Sequence, residues 1–192
     1  MSTIAYDPDI YGEGFDEPCL LRVPDGRILC MLRTGSGRPI YKSWSSDDGK
    51  GWSEPVKTGV VGVEPKLLLM TSGVIACSYG RSRKDVSDRP GPFGFPSEDA
   101  WIMFSQDGGE TWTNHTVLYE GPSTGYTSMV ELSPGELLCT HDILGFGWER
   151  TNSIMMVKVW VERADEAVRL AKRRRGGCGL CAEATQARAA GD

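Results

Sequence analysis

Ser105-Gln106-Asp107-Gly108-Gly109-Glu110-Thr111-Trp112 lies between two strand-like runs, Trp101 to Phe104 and His115 to Tyr119. A hairpin this tight needs residues that tolerate positive φ, and Gly108 and Gly109 take such angles without steric cost. Asp107 is placed to accept hydrogen bonds from the N–H groups of the turn. Ser105 or Thr111 can tie the ends, and Trp112 closes the turn with a large apolar face. The pattern occurs once before, as Ser45-Ser46-Asp47-Asp48-Gly49-Lys50-Gly51-Trp52, with Gly51 in the place of Thr111. One such octapeptide is a turn. Two of them, sixty residues apart and in register with a longer repeat, point to a series of similar sheets.

The longer repeat has three copies. Glu17-Pro18-Cys19-Leu20-Leu21 leads through Pro24-Asp25-Gly26 into Ile28-Leu29-Cys30-Met31-Leu32-Arg33. Glu64-Pro65-Lys66-Leu67-Leu68 leads through Thr71-Ser72-Gly73 into Ile75-Ala76-Cys77-Ser78-Tyr79-Gly80-Arg81. Tyr126-Thr127-Ser128-Met129-Val130 leads through Ser133-Pro134-Gly135 into Leu137-Leu138-Cys139-Thr140-His141-Asp142. Each copy reads strand, turn, strand, with the turn glycine nine residues after the first position. In the first two copies a third strand follows, near Tyr41 to Trp44 and Trp101 to Phe104, then the Asp-rich turn and a fourth strand. The third copy lacks that turn, and Asn152 to Val161 supplies its outer part. Four antiparallel strands per unit of about 45–60 residues is the blade of a β-propeller.

The expected fold is therefore all-β, a partial propeller of about three blades, roughly 15–60, 61–122 and 123–163. A basic, low-complexity tail follows over 164–192. Within it Ala164 to Arg175 reads as a short basic helix, and Ala182 to Asp192 as a disordered end. Arg173-Arg174-Arg175 reads as a solvated run. The polar, proline-bearing segment from Arg83 to Ser97 reads as a long loop, a type often functional in compact folds. Three blades cannot close a ring, so the expectation is either further blades or a second copy to cover the open faces.

Composition agrees and excludes several classes. Gly at 24 and Trp at 6 favour short strands and tight turns. A formal net charge of −5 is unlike the basic face of a nucleic-acid binder. No apolar run reaches the length of a membrane span. Met1 to Asp9 has neither the basic nor the apolar part of a secretory signal, which leaves cytoplasmic and secreted placements both open. Cys30, Cys77 and Cys139 each fall four residues after a repeat glycine. Equivalent sites of neighbouring blades are too far apart to bridge, so these read as small buried apolar residues. Cys178 and Cys181 form a lone C-x-x-C, too little for a zinc site.

The two S-x-D-x-G-x-x-W turns, known as Asp boxes, together with the E-P-x-L-L starts, resemble the sialidase (neuraminidase) family. The resemblance covers about Phe15 to Arg163. It implies the last three blades of a six-bladed propeller that removes terminal sialic acid, or a related acidic sugar, from glycans. It implies no metal or organic cofactor. It also implies a site at the inner strand ends, where arginines hold the substrate carboxylate and a tyrosine attacks with a glutamate as its base. A phenol suits this task, because an anionic nucleophile is repelled by a carboxylate on the reacting carbon. Arginine suits the carboxylate because its fork donates two parallel hydrogen bonds.

Carried onto this chain, the resemblance makes Tyr126 the nucleophile, Glu17 its base with Glu64 as the alternative, and Arg33 and Arg81 the substrate-binding arginines. Structural roles stand beside these. Glu17 and Glu64 can hold turn N–H groups between blades, Arg33 and Arg81 can pair with those glutamates, and Tyr126 can be a strand-start aromatic. The family's Arg-Ile-Pro motif and the acid/base aspartate after it are not seen, and Asp16-Glu17-Pro18 occupies the comparable place. Loss of the acid alone removes ~10²–10⁴ in rate, so the isolated chain is expected to be weak or inactive. Two other functions fit the same residues: a non-catalytic glycan-binding propeller, and a purely structural one.

Overall fold

The computed structural model describes residues 2–10, 14–35, 37–82, 98–144, 153–164 and 167–171. The expected loop at Arg83 to Ser97, Cys178 and Cys181, the Arg173-Arg174-Arg175 run and the disordered end from Ala182 all lie outside them. Among the described residues, twelve strands fall into three antiparallel four-stranded sheets. Blade 1 is β1 (Asp16–Arg22), β2 (Ile28–Arg33), β3 (Pro39–Ser45) and β4 (Val56–Val61). Blade 2 is β5 (Val63–Leu69), β6 (Ile75–Ser82), β7 (Glu98–Ser105) and β8 (Thr113–Tyr119). Blade 3 is β9 (Thr127–Ser133), β10 (Glu136–Ile143), β11 (Ser153–Ala164) and β12 (Ala167–Ala171). In every blade sequence order is sheet order, and the inner strands β1, β5 and β9 pack in succession. The all-β partial propeller is thus the observed fold.

One expectation is corrected. The stretch read as a basic helix over 164–175 contains strand β12, paired antiparallel to β11 from Trp160–Ala171 to Ala164–Ala167. A sheet edge offers Ala167 to Ala171 a full ladder partner, and tertiary pairing overrides the helix preference of Ala, Arg and Leu. The described residues include no helix long and apolar enough to cross a membrane.

The blades adhere through apolar faces set by strand alternation. On β6, Ile75, Cys77 and Tyr79 face blade 1 and share a core with Leu29, Met31, Ile40, Val60 and Met103. Ala76, between them, faces blade 3 with Ile102, Phe104, Leu137, Cys139 and Val159. Burying one such side chain contributes about 1.5–3 kcal/mol. The central sheet is therefore covered on both sides. In blade 3, Val130, Leu132, Ile154 and Met156 remain exposed.

Cys30, Cys77 and Cys139 are fully buried free thiols. Burial pushes Cys30 and Cys139 up to about 12 and raises Cys77 as well, which keeps all three protonated and inert.

Both Asp-rich turns are closed from within. The Ser45 hydroxyl donates to Asp47 at 2.9 Å and accepts from the Gly49 N–H at 2.8 Å. Ser105 repeats this with Asp107 at 2.7 Å and Gly109 at 2.8 Å. Asp47 takes the Gly51 N–H, and Asp107 the N–H and hydroxyl of Thr111. The second turn is also an inter-blade joint. Lys42 of β3, only 6% exposed, donates to the carbonyls of Gly109 at 3.0 Å and Glu110 at 2.6 Å. Arg27 lies 4.2 Å from the Trp44 ring and pairs with Glu110 at 3.0 Å. Gly109 has φ of 95°, and a Cβ there would stand 2.7 Å from Leu29 Cδ2. Only glycine satisfies both constraints.

These joints set two tests. Ser105→Ala, which strands the buried Gly109 N–H and one Asp107 bond, is expected to lower unfolding free energy by about 1–3 kcal/mol in urea titration. Asp47 and Asp107 are held below the ordinary 3.8; for Asp107 burial opposes this and the Thr111 and Ser105 bonds overcome it. Their stabilisation is complete above 3.8 and is lost as pH falls through the lowered value. Asp107→Asn is therefore expected to flatten the acid limb of the stability profile, and an unchanged limb would refute the assignment.

Candidate functional site

The inner strands start in a shared irregularity. Pairing between β1 and β2 shifts between Asp16 and Cys19, and pairing between β5 and β6 shifts between Val63 and Lys66. At the centre of these bulges Glu17 has φ of 43° and Glu64 of 50°. Left-handed backbone is uncommon for a residue with a Cβ, and a bulge re-aims the side chain it carries. In the third copy the left-handed residue is Gly125, with φ of 78°, one position before Tyr126.

Glu17 is the hub. Its Oε1 accepts from Arg33 Nη1 at 2.6 Å and from the Tyr126 hydroxyl at 3.4 Å. Its Oε2 accepts from the Glu64 backbone N–H at 2.9 Å. One carboxylate thus links β1, the end of β2, the start of β5 and the approach to β9. The Glu17 and Arg33 side chains are 13% and 15% exposed, whereas Tyr126 is 56% exposed and open to solvent. Burial raises the Glu17 carboxyl above its ordinary 4.5, against the pull of Arg33 and the Glu64 N–H. The Tyr126 phenol is likewise raised above 10, first by desolvation and then by the Glu17 and Glu64 charges. A 3.4 Å contact is long for a phenol on a carboxylate, and a movement of about half an ångström brings it to the usual range. Hydrogen bonds of this kind are often long before a ligand arrives.

Glu64 has a different place. Its carboxylate forms an ion pair with Lys66, and it meets Glu17 through its backbone. Arg81 is not part of this cluster. Its guanidinium lies 5.0 Å from the Trp101 ring, in the cleft between blades 1 and 2. The cause is register. Asp16 pairs with Arg33 in blade 1 and Val63 with Gly80 in blade 2, so the counterpart of Arg33 is Gly80. Arg81 is one residue further along, and one residue turns a strand side chain to the other face.

Gly80 and Asp142 shape the surroundings of the Tyr126 cluster and were not singled out from the sequence. A Cβ on Gly80 would stand 2.6 Å from Gly125 Cα, so blade 3 enters against bare backbone. Asp142, at the same register in blade 3, accepts from the Thr124 N–H at 3.0 Å and the Thr124 hydroxyl at 3.1 Å. Ser123 takes the Gly125 N–H at 2.9 Å, and the buried Thr127 hydroxyl meets Ser78 at 2.7 Å. These bonds fasten the turn that presents Tyr126. The repeat offset was the signal: 47 residues separate the first two copies and place Gly80, not Arg81, opposite Arg33.

Comparison with known proteins gives the same architecture. The sequence profile described as BNR repeat-like domain matches residues 12–139, well over half of the chain. No curated protein sequence matches it. A protein of unknown function from Dyadobacter fermentans superposes with a TM-score of 0.60 at 22% identity, over 80% of this chain and 40% of its own. The Hadza microbial sialidase Hz136 gives 0.51 at 21% identity, over 74% and 31%. The α-L-arabinofuranosidase Arb93A of Fusarium graminearum gives 0.54 at 15%, over 81% and 48%. The chain spans less than half the length of these structures, and the likeness is one of fold.

The hub makes a spectroscopic prediction. Since the Glu17 charge helps to raise the Tyr126 phenol, Glu17→Gln is expected to lower its pKa. The measurement is ultraviolet titration, with Tyr126→Phe identifying the band. A value that stays put or rises would show that the two groups are not in contact in solution.

Proposed function

The chain belongs to the family of BNR repeat-like domains, and on that premise we propose that it carries half of the site of a sialidase-like glycoside hydrolase. The substrate class is a glycan ending in sialic acid or a related acidic sugar. The observation that carries the proposal is the meeting of Tyr126, Glu17 and Arg33 at the inner ends of the blades.

In this reading the exposed Tyr126 hydroxyl attacks the anomeric carbon while Glu17 Oε1 takes its proton, and the glycosidic bond breaks as the aglycone oxygen leaves with a proton from a general acid that the described blades do not supply. A carboxyl raised by burial binds that proton more readily than an ordinary glutamate. Arg33, once shared with the substrate carboxylate, partly releases Glu17 and strengthens it further as a base. The tyrosyl-glycosyl intermediate is then hydrolysed with retention, Glu17 returning the proton to the phenol. The anomeric carbon of sialic acid bears the carboxylate, so a neutral attacking group avoids repulsion that a carboxylate nucleophile would meet. Glu64 supports the site through its N–H and its charge.

One observation favours the alternative, a non-catalytic glycan-binding propeller. The repeat position of Arg33, seven residues after the turn glycine, is Gly80 in blade 2 and Asp142 in blade 3, so the described blades supply a single arginine there. One guanidinium suffices to bind an acidic sugar, whereas turnover also needs a general acid.

The two are separated by fluorophore release from a sialoside, measured on this chain and on any longer form that carries it. Tyr126→Phe is expected to abolish release and Glu17→Gln to reduce it by ~10²–10⁴. Full activity in Tyr126→Phe would exclude the nucleophile. Saturable sialoside binding without release, weakened in Arg33→Ala, would establish the alternative.

A further inference from the structure

The cleft that holds Arg81 is separate from the Tyr126 cluster and has the makings of a site. It lies between the outer strand of blade 1 and the facing side of blade 2, with a volume of about 360 Å³. Gly59 and Val60 of β4 form one wall, and Tyr79, Arg81, Trp112 and His115 form the other. That space is at the low end of ligand pockets, suited to one ring and not to a chain of them.

Its one charged side chain among the described residues is a donor. Arg81 is exposed, and among the described residues no carboxylate pairs with it. The residue facing it on β7, Asp99, is buried and accepts from the Gly121 N–H at 2.9 Å. The Trp101 ring holds the guanidinium from one side through a cation–π contact, which limits its rotamers. His115 supplies a second polar group. Its Nδ1 lies 3.1 Å from the Tyr79 hydroxyl, in a hydrogen bond that either atom can donate. Its Nε2 has no hydrogen-bond partner among the described residues. Among the described residues the buried indole N–H groups of Trp101 and Trp112 also lack acceptors. A cleft with an exposed guanidinium, an unpaired imidazole nitrogen and aromatic walls suits a ligand that is anionic at one end and apolar at its edge.

We propose that this inter-blade cleft is a second binding site, specific for a small carboxylate of the sugar-acid type, with Arg81 and His115 as its anion-holding residues. It works without Tyr126, Glu17 or Arg33, and so stands apart from the proposed hydrolase site.

The test is titration calorimetry of the whole chain with D-glucuronate, with D-glucose as the neutral control. Saturable binding of glucuronate and none of glucose is expected. Arg81→Met keeps the aliphatic stem and removes the charge, and is expected to weaken binding by about tenfold or more. His115→Phe is expected to weaken it to a lesser degree, while Glu17→Gln leaves it unchanged. Arg81 is exposed, and circular dichroism checks that its variant is folded. Equal binding by Arg81→Met and the parent, equal binding of glucose, or no glucuronate binding would overturn the proposal. Loss of binding in Glu17→Gln would overturn it too, by moving the sugar acid to the propeller mouth.

Discussion

The structure depends on the middle sheet being buried on both faces. A strand has only two faces, and β6 uses one for each neighbouring blade. Ile75, Cys77 and Tyr79 belong to the core shared with blade 1, and Ala76 to the core shared with blade 3. A slip of one residue would exchange these sets. It would put Tyr79 where only small residues fit and leave the blade 1 interface with a gap. Register is therefore fixed by packing over the length of the blade, well away from any polar group at its end.

The site inherits its geometry from that register. Position 17 of blade 1 corresponds to 64 and 126 in the others, and position 33 to 80 and 142. The first set lies at the inner strand starts and converges on the Glu17 carboxylate. The second set is divided by need. Blade 1 places a guanidinium there, blade 2 places no side chain so that Gly125 can approach, and blade 3 places an acid that binds Thr124. One repeated backbone thus holds three chemistries, and the differences between copies are where the fold has been adapted to the site.

The repeat was legible because it rests on features a sequence prints directly: turn glycines, apolar runs and the aspartates of the hairpins. That Tyr126, Glu17 and Arg33 meet was legible for the same reason, as they occupy repeat positions. Arg81 lies apart from them; choosing it gave residue type more weight than the 47-residue offset, which points to Gly80. The left-handed backbone of Glu17 and Glu64 left no mark, since nothing in Glu-Pro-x-Leu announces a positive φ. The strand at Ala167 to Ala171 was hidden for another reason. Its local composition favours a helix, and only the edge of β11, a partner distant from its own side chains' preferences, decides otherwise.

The Glu17–Arg33 pair has a structural role, and the proposed function gives it a second one compatible with the first. A half-buried ion pair costs desolvation on both sides and returns little net stability against an apolar pair of the same size. If Glu17 served only to join blades, the Glu64 N–H would be satisfied by any short acceptor, and a buried guanidinium would be an unnecessary burden. The arrangement instead keeps a desolvated carboxylate 3.4 Å from an exposed phenol, with a cation on the same oxygen. Burial pushes that carboxyl toward binding a proton and the cation restrains it. A ligand that draws the guanidinium away shifts the balance toward proton uptake at the oxygen the phenol faces. In the proposed reading, the same pair that ties the blades together couples anion binding to the basicity of its own acid.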